Sequence, residues 1–294
     1  MTQILVDAII YAAEIAIIAM GVALSFSILR FANFAHVQFA VVGAYLSFAA
    51  NQALGLPLLA AVPLGVVATG LIAVLVDRLV FSRLKHIAPE GKMIVSWGVA
   101  LVLRASVAAI FGGASRVFPA QPVSLSLGGA YFTSQDAVVV GTTLAAMVAL
   151  RLLLYRTRAG TALRALASNA DLAETRGIPA GRMIALMWFV SGAYAALGGT
   201  MFALETRLQP NMDLIILLPT FAAVTIGGLD NVFGAALGAL ALSLAQNLLI
   251  GVDVGSLVSD TPWSVPTQFR DFVAVGAMVL ILLLRRSRGE RGAR

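Results

Sequence analysis

The chain has few of the residues on which soluble folds and common enzyme sites depend. It contains no cysteine, which excludes disulfides and thiolate chemistry, and only two histidines, His36 and His86, which argues against a histidine metal centre. Charged residues make up 12% of the sequence, whereas an ordinary soluble domain carries about 25%. Nearly all of the 294 residues are therefore expected to lie in lipid.

Sequence motifs of nucleotide-using and hydrolytic enzymes are also missing. The P-loop pattern is absent, because Gly91-Lys92 lacks both the upstream glycine and the following serine or threonine. There is no H-E-x-x-H helix, no G-x-S-x-G nucleophile elbow and no glycine-rich dinucleotide fingerprint. We therefore expect no catalytic residues, no cofactor and no metal, and any ATP hydrolysis must be supplied by a partner.

The chain has instead a series of apolar segments. A helix of about 20 apolar residues crosses the bilayer core, and nine segments approach this length or fall somewhat short of it. They are residues 4–29, 39–51, 56–80, 93–111, 136–155, 183–204, 214–226, 232–250 and 269–284. The pattern predicts an all-α polytopic membrane protein, a bundle of about nine transmembrane helices (eight or ten are the alternatives) that forms one domain over residues 1–294.

Basic residues indicate how the bundle sits in the membrane. Most of the 20 Lys and Arg residues lie at Arg30 and in residues 78–92, 151–182 and 285–294. Cytoplasmic loops are rich in Lys and Arg, so these clusters predict an outside N-terminus and a cytoplasmic C-terminus rather than a nucleic-acid groove. Loops 112–135 and 251–267 then face outward, and the alternation in residues 123–127 predicts a small hairpin in the first of them.

Two of the predicted spans, residues 39–51 and 214–226, are short. Each adjoins a polar or glycine-rich break, residues 30–38 and 227–234. Irregular backbone at membrane depth survives only against protein or a water-filled cavity, and paired interrupted segments mark substrate pathways. The breaks are therefore either half-helices beside a substrate pathway or tight cytoplasmic turns between full spans.

Charged residues inside the spans are the sharpest pointers to a site. Glu14 lies about 13 Å and Arg104 about 10 Å below the outer ends of their predicted spans, at a rise of 1.5 Å per residue. Intramembrane charges are costly and are usually paired or face a pathway. We therefore expect Glu14 and Arg104 to pair with each other or to flank an outward-facing polar cavity, and a purely structural ion pair remains the alternative.

Residues 160–179 lie within the longest stretch between predicted spans, residues 156–182, and they have two faces at helical spacing. Leu163, Leu166, Ala170 and Ala173 fall on the apolar face, and Arg164, Ser168, Asp171 and Thr175 fall on the polar one. Asn169 is a good helix N-cap, which predicts two short helices joined at Ser168-Asn169. The residues alone leave two roles open: docking onto a soluble protein, or lying on lipid headgroups.

Three segments resemble one family of transport proteins. Arg30-Phe-Ala-Asn33-Phe-Ala-His36-Val-Gln38, with Gly43-Ala-Tyr45 after it, is similar to the segment after the first helix in branched-chain amino acid ABC permeases of the LivH type. Gly160-Thr-Ala-Leu-Arg164 through Gly177-Ile178 is similar to the family's cytoplasmic coupling loop. The run from Thr225 to Gly238 is similar to its late glycine-rich segment. The three matches occur in the family's order and cover most of the chain.

The resemblance implies an inner-membrane permease subunit of a binding-protein-dependent importer in bacteria. Its expected partners are a second homologous permease, two ABC ATPase subunits, a periplasmic binding protein and membrane lipid, with no nucleic acid. It also implies that residues 156–182 form a cytoplasmic coupling loop that docks onto an ATPase. The residues expected to couple to the ATPase are Arg164, Ser168, Asn169, Asp171, Glu174 and Gly177. The residues expected along the substrate pathway are Glu14, Asn33, His36, Gln38 and Arg104.

The sequence departs from the family pattern near the expected pathway. Val37 and Gln38 stand where the family usually has glycine and glutamate, and Glu14 stands where small or apolar residues are usual. These changes leave open whether the solute is a branched-chain or another amino acid, or instead urea, an amide or an aromatic acid, as in related permeases. An ion-coupled secondary transporter is the alternative mechanism, with Glu14 as its deep acidic group.

Overall fold

Helix α1 (Thr2–Leu29) lies at the centre of a bundle of apolar helices. A computed structural model describes residues 2–84, 86–119, 122–127, 129–251 and 269–292. From Glu14 to Ser25 every side chain of α1 is buried, because α5, α8, α9 and α10 surround it. A helix that is apolar on all sides needs protein or lipid around it, and here other helices surround it.

The other elements follow in chain order and are mostly long helices. They are α2 (Ala35–Ala53), α3 (Leu58–Leu79), α4 (Pro89–Phe111), β1 (Ser124–Leu127), β2 (Ala130–Thr133), α5 (Ser134–Arg156), α6 (Arg158–Ser168), α7 (Ala170–Thr175), α8 (Ala180–Glu205), α9 (Met212–Gly227), α10 (Val232–Gly251) and α11 (Arg270–Gly292). Six helices in the described part of the chain are long and apolar enough to cross a membrane. The predicted class, an all-α polytopic membrane protein, is confirmed.

Peripheral helices α3 and α4 present apolar side chains outward. Leu71 and Leu75 of α3 are more than half exposed, as are Ile94 and Ile110 of α4. In water, such exposed apolar faces would promote aggregation, but the lipid tails of a membrane solvate them without cost. These helices therefore form a lipid-facing or subunit-facing side of the bundle.

The predicted hairpin is present between α4 and α5. Strands β1 and β2 pair in antiparallel register, with Ser124 opposite Thr133 and Leu127 opposite Ala130. Gln3 of α1 holds the hairpin by accepting a hydrogen bond from the Tyr131 amide at 2.8 Å and donating to its carbonyl at 3.1 Å. The hairpin and the start of α1 therefore share one end of the bundle. In the second predicted outer loop, 251–267, all but the first residue lie outside the described residues.

Helix α2 begins earlier than the sequence predicted. The prediction placed the span at residues 39–51, whereas the helix covers Ala35–Ala53, so His36 and Gln38 belong to its first turns. Polar side chains suggested a break, but both find partners inside the bundle and are buried. A polar residue interrupts a helix in lipid only when nothing nearby satisfies it.

The two predicted breaks are short turns at one end of the bundle. Arg30 and Asp230, which sit in these turns, have side chains that are 55% and 64% exposed. Such exposure favours tight turns between spans over half-helices at membrane depth. Helix α9 is short, as predicted, with 16 residues. Its first turn, at the end away from the predicted break, contains a buried acidic residue, Asp213.

Helices α9 and α10 approach each other through glycine, which gives a testable packing requirement. A Cβ added at Gly238 would meet the carbonyl oxygen of Ala223 and lie 2.7 Å from the amide nitrogen of Gly227. Because both are backbone atoms, Gly238→Ala is expected to cost about 1–3 kcal/mol of stability. The apparent thermal unfolding midpoint in detergent measures this cost.

Gly98→Ala in α4 is the matched control. An added Cβ at Gly98 meets nothing within 4 Å, so removing a helical glycine there should leave the midpoint unchanged or raise it slightly. An equal fall for both variants would contradict the packing requirement.

Candidate functional site

The polar element at residues 158–175 forms two short helices, as predicted. Thr157 caps α6 by accepting a hydrogen bond from the Gly160 amide at 3.0 Å, and the Asn169 side chain caps α7 by accepting one from Leu172 at 3.0 Å. Gly177 follows α7 with φ of 83°, a left-handed conformation that suits glycine. We call α6 and α7 together the docking element.

The docking element lies against the bundle with its apolar face. Leu163 and Leu166 of α6 and Ala173 of α7 are buried, while Ala170, predicted on the same face, is exposed. The guanidinium of Arg164 lies 4.7 Å from the ring centre of Tyr155, which belongs to the last turn of α5. The residues predicted to couple to an ATPase all stay exposed: Arg164, Ser168, Asn169, Asp171, Glu174 and Gly177.

Arg30, in the turn between α1 and α2, contacts both the docking element and the turn between α9 and α10. Its Nη2 donates a hydrogen bond to the carbonyl oxygen of Ala167 at 2.6 Å, and its Nη1 lies 3.8 Å from a carboxylate oxygen of Asp230. The Ala167 carbonyl belongs to the last turn of α6, where helix carbonyls lack intrahelical partners. Arg30 also has φ of 57°, unusual for a residue with a side chain. The three segments that resemble the permease family therefore meet at one arginine.

A buried ionic cluster links α2, α4 and α9. The guanidinium of Arg104 donates to the carboxylate of Asp213 in a short ion pair. The Gln38 amide, turned so that its nitrogen faces Asp213, donates to the two carboxylate oxygens at 3.0 and 3.2 Å. Asp213 is 5% exposed and Gln38 is fully buried. We call Gln38, Arg104 and Asp213 the buried ionic cluster.

The predicted partnership of Glu14 with Arg104 is wrong. Arg104 pairs with Asp213, which is 109 positions away in sequence. Glu14 instead shares its surroundings with Asp136, Glu205 and Arg270. Depth along each helix was a fair guide to which charges lie inside, but equal depth did not place the two helices next to each other.

Asn33 and Ser96 hold the start of α2. The Ser96 hydroxyl of α4 accepts a hydrogen bond from the Phe34 amide at 3.0 Å, and the Asn33 side-chain oxygen accepts one from Ala35 at 3.2 Å. Both side chains are buried. They satisfy amides that a helix start would otherwise leave without partners.

His36 ties α2 to α1 and α8. Its Nδ1 lies 3.0 Å from the Ser191 hydroxyl oxygen, and that hydroxyl lies 3.1 Å from the Gly21 carbonyl oxygen. Since the carbonyl only accepts, the Ser191 hydroxyl donates to it and the imidazole Nδ1–H donates to the hydroxyl. His36 is thus part of the packing between central helices.

Glu14 lines a polar cavity at the hairpin end of the bundle. The cavity has a volume of about 630 Å³, and its lining includes Asp136 at the start of α5, Arg270 at the start of α11 and Tyr11. The Arg270 guanidinium lies 3.8 Å from the ring centre of Tyr11. The predicted polar cavity beside Glu14 therefore exists, with Arg270 rather than Arg104 as its basic group.

Several residues of these sites were not predicted from the sequence. Asp213 sits one position outside the predicted span 214–226, Asp230 lies in the glycine-rich break without having been singled out, and Ser96 and Ser191 carry no motif of their own. Within the described ranges no three His, Asp or Glu side chains are placed to hold a metal ion. The sites are thus suited to ionic and hydrogen-bond contacts.

The fold and these sites define a polytopic helical membrane protein with two short, polar-faced helices, α6 and α7, at one end and buried polar groups between its spans. The chain belongs to the family described as branched-chain amino acid transport system permease component, whose model matches residues 4–282. The suspected resemblance to this family is therefore confirmed.

Named relatives are similar to the chain over most of its length. A probable branched-chain amino acid transport permease protein LivH of Methanocaldococcus jannaschii is 30% identical over 84% of this chain and 80% of its own length. The permease protein BraD of Pseudomonas aeruginosa is 25% identical over 96% and 93%. The LivH permease of Escherichia coli K12 is 25% identical over 92% and 88%. Both of these carry names that describe high-affinity branched-chain amino acid transport.

Proposed function

We propose that the chain is the permease subunit of a binding-protein-dependent ABC importer, and that it carries branched-chain or other amino acids. A second homologous permease, two ATPase subunits and an extracytoplasmic binding protein would complete the importer. The proposal is supported by membership of the permease family and by the named relatives. Nucleotide-driven closure of the ATPases would bias an alternating-access equilibrium in the spans.

The docking element is the observation that carries the coupling role. Leu163, Leu166 and Ala173 pack against the bundle, while Leu172 and the polar residues of the element remain exposed at the end that also contains Arg30 and Asp230. A helix lying on lipid would turn its apolar face to the membrane instead. Through Arg30, the docking element is attached to the turn between α1 and α2 and to the turn between α9 and α10. A movement of the element could therefore be transmitted to these four helices.

The substrate pathway is proposed to run past Glu14, Asn33, His36, Gln38 and Arg104. Glu14 lines the cavity of about 630 Å³ at the hairpin end, and Gln38 and Arg104 belong to the buried ionic cluster deeper in the bundle. The proposal includes an N-terminus outside and a C-terminus in the cytoplasm, in the plasma membrane of the cell, and the basic clusters support this orientation. The cavity would then open toward the binding protein.

Co-purification with the ATPase tests the coupling role. A variant carrying Arg164→Ala and Glu174→Ala is expected to lose most of the ABC ATPase that the intact protein retains in mild detergent, because two exposed ionic contacts disappear. The matched control, Arg83→Ala with Glu90→Ala, removes the same charges from exposed positions outside the docking element and should retain the ATPase.

Two further results separate docking from its alternatives. Tyr155→Leu removes the ring beside Arg164 and keeps the residues predicted to couple to the ATPase, so a loss of the ATPase in this variant would mean that the position of the Arg164 side chain, or Tyr155 itself, contributes to docking. If neither the intact protein nor any variant retains an ATPase, the coupling role is wrong.

An ion-coupled secondary transporter is the second candidate, since Glu14 is a buried carboxylate that lines a cavity. Uptake in energised vesicles lacking the ATPase subunits would support it. Uptake that requires those subunits and ATP would support the importer.

A further inference from the structure

A second cleft lies at the end of the bundle that carries the docking element, and the proposed coupling role does not use it. The cleft has a volume of about 670 Å³ and lies between the ends of α1, α3, α4 and α8. Three basic side chains from three different helices line it: Arg78, Lys92 and Arg182. We call this the basic cleft.

The charges of the basic cleft favour an anion. Asp77 is its acidic member and is 7% exposed, whereas Arg78 and Arg182 are exposed. One carboxylate against three cations leaves a formal excess of positive charge. The three basic residues are 14 or more positions apart in sequence, so only the packing of α3, α4 and α8 brings them together.

The remaining lining of the basic cleft is mostly apolar, with Ser82 as a polar exception. Ile28, Leu29 and Phe31 line it from the end of α1 and the turn that follows, and Phe81 and Ile184 come from after α3 and from α8. A small inorganic anion would make no favourable contact with these apolar side chains. An amphipathic anion could contact the basic side chains with its charged group and the apolar side chains with its hydrocarbon part.

An apolar path leads from the basic cleft along the outside of α3. Leu71, Leu75 and Arg78 share one helix face at spacings of four and three residues, and both leucines are more than half exposed. A headgroup beside Arg78 would therefore place its acyl chains over these leucines.

We propose that the basic cleft binds the phosphate headgroup of an anionic phospholipid of the inner leaflet, with its acyl chains along α3. The proposal rests on the orientation given by the basic clusters, which puts this end at the cytoplasmic surface. Basic pockets between transmembrane helices on that side bind anionic headgroups in other proteins, and each Lys or Arg there contributes roughly fivefold in affinity.

Lipid titration of the purified protein tests the proposal. The intact protein in detergent should show a higher apparent unfolding midpoint with phosphatidylglycerol or cardiolipin than with phosphatidylcholine. Changing Arg78 and Lys92 together to Gln should raise the half-saturating concentration of the anionic lipid roughly 25-fold, and mass spectrometry of retained lipid should show the same loss. The matched control, Arg83→Gln with Arg151→Gln, removes equal charge from exposed positions outside the cleft and should titrate like the intact protein.

Further measurements distinguish a lipid headgroup from free phosphate and cover the case of a variant that folds poorly. Millimolar inorganic phosphate should neither shift the midpoint nor displace the lipid, and equal action by phosphate would overturn the role of the acyl chains. Equal loss in the control, or no preference for anionic lipid in the intact protein, would overturn the cleft as the site. If the glutamine variant folds poorly, Arg78→Lys, which keeps the charge, should retain the lipid. Unchanged lipid binding with a loss of ATPase would mean that the cleft serves a protein partner instead.

Discussion

Arg104→Ala is expected to lower the apparent unfolding midpoint by roughly 10 °C, because it leaves Asp213 buried with no cation beside it. Removing one member of a buried ion pair costs about 3–5 kcal/mol, and each kcal/mol shifts the midpoint of a chain this size by roughly 2–4 °C. Asp213 is 5% exposed, so solvent screens little of its charge. Gln38 supplies a neutral donor and offsets only part of the cost.

A double-mutant cycle separates the ion pair from the packing of either side chain. Arg104→Ala with Asp213→Ala should be less damaging than Arg104→Ala alone, since the double variant buries no lone charge. Glu14→Ala combined with Arg104→Ala should be additive, because Glu14 belongs to a different cavity. Coupling between Glu14 and Arg104, or its absence between Arg104 and Asp213, would contradict the buried ionic cluster.

The cycle also bears on the proposed pathway. If Gln38 and Arg104 contact the solute, a variant that restores stability without restoring the charges should still transport poorly. Normal uptake by a stable Arg104→Ala and Asp213→Ala double variant of the assembled importer would assign the cluster a structural role only.

Arg30→Gly is expected to uncouple transport from the ATPase without releasing it. The side chain connects the last turn of α6 to the turn between α9 and α10, whereas the residues predicted to contact the ATPase are exposed. Allosteric coupling typically amounts to about 5- to 150-fold, and solute uptake should fall by an amount in that range. Glycine is the substitution to use because φ of 57° at this position costs it no strain.

Three comparisons sharpen the test of Arg30. Asp230→Asn removes an ion pair whose two side chains are more than half exposed, and such pairs contribute little, so its effect should be small. Arg30→Lys keeps the charge but loses the fork that reaches Ala167 and Asp230 together, and it should rescue uptake only in part. Loss of the ATPase along with uptake in Arg30→Gly would mean that Arg30 supports docking rather than coupling.

Local patterns in the sequence predicted local structure well. The division of residues 158–175 at Asn169 followed from the preference of asparagine for helix N-caps, and the hairpin followed from the alternation in residues 123–127. Both features depend mainly on a few neighbouring residues. The start of α2 was missed because the groups that satisfy it, Ser96 and Ser191, lie 62 and 155 positions away from their partners.

The composition of the chain was enough to predict a membrane protein, because so few charged and so many apolar residues suit no other solvent. Its motifs also identified the permease family, and its basic clusters predict the orientation. Which buried charges meet became known only from the folded chain. Helical rise sets how deep Glu14 and Arg104 lie, but which helices stand side by side depends on packing throughout the bundle, including glycine contacts such as Gly238 on Ala223. For the same reason the meeting of Arg30, Ala167 and Asp230 was visible only in the folded chain.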